Sequence, residues 1–142
     1  MNKKLILNLK NKKSDIANVQ NKIDHFCDKH SLPERLKNEL NLILDELIIN
    51  TILYGYIDQQ DHNITIKIFL SADDLKIIYM DDGIEFDPTK QQEPSHLSES
   101  ASEKPLGGLG IHLVKNLMDA IEYKRDKGRN ILILTKKLEN KN

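Results

Sequence analysis

Two pairs of short, β-branched runs, each pair joined by a few polar residues, limit this chain more than any other feature. Ile64-Thr-Ile-Lys-Ile-Phe-Leu70 and Leu75-Lys-Ile-Ile-Tyr-Met80 are separated by Ser71-Ala-Asp-Asp74 alone. Ile121-Glu-Tyr-Lys-Arg125 and Ile131-Leu-Ile-Leu-Thr135 are joined across the turn Asp126-Lys-Gly128. A parallel partner would need a far longer crossover, so joints this short make antiparallel hairpins. Residues 5–9 (LILNL) add a further strand candidate near the start.

The helices announce themselves by a different period. Ile16, Val19, Ile23, Phe26 and Cys27 recur at helical spacing, with Ser14 or Asp15 as N-cap and an end near His30. Ser31-Leu-Pro33-Glu34 restarts a helix, with proline near the first turn, where its missing N–H does least harm. Leu36, Leu40, Ile43, Leu44, Leu47 and Ile48 form its wide apolar stripe, which runs to about Tyr54 before Gly55 stops it. A third helix carries Ile111, Leu113, Val114, Leu117 and Met118. The order is β-α-α-β-β, a polar segment, then α-β-β. Strands grouped in hairpins predict an α+β two-layer sandwich, with a mixed, mostly antiparallel sheet and helices on one face. At 142 residues, residues 1–142 are read as a single domain.

Composition removes several function classes. The 21 basic and 22 acidic side chains nearly cancel, which speaks against a general electrostatic affinity for nucleic acid or an anionic membrane. A single cysteine, Cys27, excludes an internal disulfide framework and any multi-cysteine zinc site, and its place on an apolar helix face marks it as core. No stretch approaches the roughly 18 apolar residues of a membrane span, and the start reads as a strand rather than a secretory leader. A cytoplasmic protein is the resulting expectation. The five histidines show no paired spacing that would hold a metal.

Three constellations could carry chemistry. Glu46 and Asn50 stand four apart on the long helix, neighbours on one face that borders its apolar stripe. Such a pair can offer an amide oxygen to a cation and a carboxylate to a nucleophile's proton, or it can be the solvated edge of an amphipathic helix. Asp81-Asp-Gly83 ends an apolar strand, where a carboxylate can accept from an exocyclic amine and a glycine lets backbone approach a flat ring. The plainer reading is a strand closed by Asp-Gly turn chemistry. Pro105-Leu-Gly107-Gly108-Leu-Gly110 opens the third helix, where backbone N–H groups can converge on an anion, although a glycine hinge has the same look. Residues 87–106 before it are polar, rich in Ser, Glu and Pro, and fit a lid.

Together and in this order, the motifs resemble the ATP-binding domain of the GHKL superfamily, the Bergerat-type histidine-kinase-like ATPase fold. Within it the chain is similar to the anti-sigma-factor serine kinases (RsbW/SpoIIAB-like), most of all over residues 107–136, GGLGIHLVKNLMDAIEYKRDKGRNILILTK. The resemblance implies ATP and Mg²⁺ as cofactors, with Asn50 as the metal ligand and Glu46 as general base. It implies that Asp81 receives the adenine amino group with Gly83 near the ring, and that Gly107, Gly108 and Gly110 serve the phosphates. The implied activity is phosphorylation of a serine on a STAS-domain anti-anti-sigma protein, with a sigma factor as competing partner and the kinase as a homodimer. An ATP-binding module that sequesters a partner without phosphotransfer is the rival. Two departures stand out: Glu85 where a small residue is common, and Arg129-Asn130 where many relatives carry threonine.

Overall fold

A computed structural model describes residues 3–90 and 108–138. Five strands, β1 (Lys3–Lys10), β2 (Asn63–Leu70), β3 (Asp74–Asp81), β4 (Ala120–Asp126) and β5 (Arg129–Lys137), form one sheet in the order β1-β2-β3-β5-β4. Each of the four described ladders is antiparallel, as the two hairpins require. The second hairpin turns with Lys127 and Gly128 at φ 50° and 77°, the left-handed pair that matches strand twist.

Three helices, α1 (Ile16–Lys29), α2 (Glu34–Tyr54) and α3 (Gly108–Leu117), provide the second layer. The apolar stripe of α2 supplies the centre of the core, with Leu40, Ile43, Leu44 and Ile48 essentially sealed from solvent against Ile64, Ile66, Ile68 and Ile77 of the sheet. Burying each such side chain contributes on the order of 1.5–3 kcal/mol. Cys27 is buried in the same core, and desolvation pushes its thiol up to about 11. Lys136 of β5 fastens the layers by donating to the Leu117 carbonyl at the end of α3 (2.7 Å) and pairing with Glu39 of α2 (3.0 Å).

Two local expectations resolve differently. Asp15 sits at the start of α1, but its carboxylate accepts from the Lys10 N–H (2.8 Å) and makes no cap to the helix. Gly55 ends α2 at φ −78°, without a left-handed turn. Strand register decides which residues meet at the end of the sheet. Leu9, Ile64, Asp81, Asn130 and Arg125 lie directly across the sheet from one another in a single row. An apolar row thus becomes polar on its β3, β5 and β4 members.

Candidate active site

Over that polar end lies a cleft of about 530 Å³, partly open to solvent, between the C-terminal half of α2 and the ends of β3 and β5, with Ile111 of α3 in its wall. Leu47, Ile84, Phe86 and Leu132 give apolar walls, and Asp81 is the carboxylate in the lining. Only 8% of Asp81 is exposed. Burial raises its carboxyl above the ordinary range, while donation from Asn130 and from the Gly83 N–H works the other way. Both donors go to Oδ1, each at 2.9 Å. Oδ2 has the Thr51 hydroxyl at 3.5 Å. Thr51 is itself held by the Tyr79 hydroxyl at 2.7 Å, with the Leu47 carbonyl in reach of both.

Gly83 is needed for the close approach of two backbones. A Cβ there would meet the Gly55 carbonyl oxygen at 2.6 Å, and that oxygen also accepts from Ile84 N–H (2.7 Å). The end of β3 is thereby pinned to the end of α2. Asp82 turns away to His62, whose ring stacks on Tyr56.

Glu46 and Asn50 sit one turn apart on α2, both partly buried. Asn50 lines the cleft, and its Nδ2 is buried with no hydrogen-bond partner among the described residues. Glu46 packs against the first turn of α3, where a Cβ on Gly110 would collide with Glu46 Oε2. Asn50 and Asp81 both line the cleft; Glu46 stands one turn before Asn50 with Gly110 against its carboxylate, and Gly83 follows Asp81 and donates to its Oδ1. Gly108 begins α3. Gly107 and residues 91–106 of the expected lid lie outside the described residues.

The residues present fit the implied cofactors. An amide's oxygen and nitrogen exchange places by a half-turn of χ2, so the unpartnered end of Asn50 can present an oxygen, the atom Mg²⁺ prefers. The cleft offers apolar walls and one buried acceptor, as a purine with an exocyclic amine requires.

Sequence reasoning missed Thr51, Tyr79 and Tyr123, and noted Asn130 only as a departure, without a role. Thr51 was within reach, since it continues the apolar stripe of α2 as a polar residue. Tyr79 was too, two residues before Asp81 and hence on the same face. Asn130 was not. Its place opposite Asp81 depends on the pairing of two strands 49 positions apart.

Comparison with known proteins bears on the family and the fold. Residues 9–136 match the family described as histidine kinase-like ATPase domain. Serine-protein kinase RsbW of Listeria monocytogenes is 30% identical over 106 residues, 72% of this chain and 67% of that protein. The anti-sigma F factor of Clostridium beijerinckii is 29% identical over 101 residues, 70% of this chain and 69% of that one. Among solved structures, the histidine kinase domain of the Erythrobacter litoralis EL346 blue-light activated histidine kinase superposes with a TM-score of 0.50 at 14% identity. That match takes in 86% of this chain but 58% of the other, and it speaks to the fold alone. The chain belongs to the histidine kinase-like ATPase domain family, in the branch of the serine-protein kinase RsbW and the anti-sigma F factor. Its enzyme class is accordingly serine/threonine kinase.

Proposed function

We propose that the protein binds Mg²⁺-ATP in this cleft and phosphorylates a serine of a STAS-domain anti-anti-sigma protein, alternating between that partner and a sigma factor. In this reading it works in the cytoplasm as a homodimer and regulates transcription through the sigma factor it holds. The observation that carries the reading is the meeting of Glu46 with Gly110 beside the unpartnered amide of Asn50, one wall away from buried Asp81. A carboxylate, an amide able to offer an oxygen to a cation and a helix N-terminus near an apolar-walled cleft are the parts that phosphoryl transfer needs, because positioning and charge neutralisation do most of its work.

Each residue has a task. Asp81 accepts from the base and orients it. Asn50 holds the cation, and the start of α3 directs backbone N–H groups toward negative charge. Bound Mg²⁺-ATP supplies the transferable phosphoryl group and shields its charge. Glu46 accepts the proton of the incoming serine hydroxyl. Lid residues 87–106, in this reading, close over the nucleotide and open for release.

Phosphate transfer from labelled ATP to the cognate STAS protein tests this directly. Glu46→Ala is expected to keep ATP binding and lose about 10²–10⁴ in transfer rate, the usual contribution of a general base. Transfer at the wild-type rate would remove Glu46 from that role. ATP binding by the wild type with no transfer at all would identify a sequestering module instead.

A further inference from the structure

Asn130 makes a set of contacts that exhausts its side chain. All four of its hydrogen-bonding positions are taken. Nδ2 donates to Asp81 Oδ1 (2.9 Å) and to the Ile84 carbonyl (2.8 Å). Oδ1 accepts from Phe86 N–H (3.2 Å) and from the Tyr123 hydroxyl (2.5 Å). The orientation is therefore determined, since the flipped amide would set an oxygen against two acceptors and its NH₂ against a backbone N–H. Asn130 lines the cleft but has no hydrogen-bonding position left for a ligand. Arg125 braces the same loop by donating to the Gly83 carbonyl (2.8 Å).

The consequence falls on Asp81. With Oδ1 saturated by Asn130 and Gly83, Oδ2 is the oxygen left for a ligand in the cleft that Asp81 lines, and its hydrogen-bond neighbour among the described residues is the more distant Thr51 hydroxyl. We propose that Asn130, locked by Tyr123, is a positioning residue that presents Asp81 as a one-oxygen, acceptor-only contact and so sets the preference for a 6-amino over a 6-oxo purine. This deepens the nucleotide reading above and rests on it. A 6-oxo purine would bring an acceptor against an acceptor, leaving two buried groups unpaired, which is how polar sites reject the wrong isostere. Without Asn130 the carboxyl is free to rotate and to take a proton, and a protonated carboxyl can donate to a 6-oxo group. The charged and titratable groups that face Asp81 are Asp82, Arg125 of β4, Tyr79 of β3 and Tyr56 after α2, and only Arg125 favours the anion.

The test is equilibrium binding of ATP and of inosine triphosphate, its 6-oxo counterpart, to wild type, Asn130→Ala and Tyr123→Phe, between about pH 5.5 and 8. Loss of a hydrogen bond to a charged group predicts roughly ten- to hundredfold weaker ATP binding by Asn130→Ala. Its ATP-to-inosine-triphosphate ratio should narrow, and its ATP affinity should begin to fall at a higher pH on acidification. Tyr123→Phe, which leaves Asn130 in place, should move both readouts the same way by less, and it carries the test if Asn130→Ala does not fold. Wild type that binds ATP, with variants of unchanged ratio and pH profile, overturns the role of Asn130 alone. Wild type that binds neither nucleotide overturns the nucleotide reading and this inference together.

Discussion

Gly110 has no room for a side chain, and the atom that fills the room is Glu46 Oε2. Sequence alone placed this glycine with the phosphates, whereas its described contact is with the carboxylate cast as general base. The obstructing atom is the far end of a flexible side chain, so an alanine is accommodated by Glu46 swinging aside rather than by backbone movement. Gly110→Ala is therefore expected to fold and to bind ATP nearly as wild type does, because Asp81 and its partners are untouched. Transfer should suffer, since a misplacement of about 1 Å can lower a rate by roughly 10²-fold. A kinetic split decides the matter. A fall in kcat at nearly constant KM for ATP assigns Gly110 to the positioning of Glu46, and a rise in KM at constant kcat returns it to the phosphates.

Among the elements, the connection between α2 and β2 shows the clearest electrostatic device. His62 lies 2.7 Å from Asp58 and 3.2 Å from Asp82, with its ring stacked on Tyr56 at 4.0 Å. A doubly protonated imidazole donates to both carboxylates, and a neutral one donates to a single partner. The hydrogen bond with Asp58, then desolvation acting against it and the Asp82 contacts acting with it, leave the His62 pKa above its ordinary value. A raised folded-state pKa stabilises fully below the unfolded value, about 6.5, and the contribution fades as pH rises through the folded one. Melting curves of wild type and His62→Gln should therefore differ most below about pH 6.5 and converge as the pH rises above it. A gap that stays constant across that window would assign the residue's effect to stacking on Tyr56 instead. None of this contact was legible beforehand, because Asp58, His62 and Asp82 fit no spacing rule and meet only once Gly83 packs on Gly55. Elements with a strict period were legible: the stripe of α2 and both hairpins appear where apolar spacing placed them. Cap details were not, since Asp15 had a choice between the start of α1 and the Lys10 N–H, and the strand took it.

For the molecule as a whole, the two-layer class followed from hairpin grouping, but the strand order did not follow as directly. A trace of it was present. The unbroken Ile131-Leu-Ile-Leu134 run suits a strand flanked by neighbours, and Ile121-Glu-Tyr-Lys-Arg125 alternates as an edge does, which matches β5 inside and β4 outside. That insertion of β5 beside β3 brings Asn130 to Asp81 and turns a strand end into the floor of a cleft. Because α2, β3, β5 and α3 all wall the cleft, a ligand there links both layers, and binding should register as global stability. At about 100 times its dissociation constant a ligand adds roughly 2.7 kcal/mol. For a chain of this length that corresponds to a rise in Tm of about 5–15 °C. ATP with Mg²⁺ should produce such a rise in the wild type, ATP without the cation a smaller one, and Asp81→Asn none, because its amide can turn a donor toward the purine amine. Asn50→Ala should respond equally with and without Mg²⁺. A full cation-dependent shift in Asn50→Ala would move the metal from that side chain, and a full ATP shift in Asp81→Asn would move the base out of the cleft.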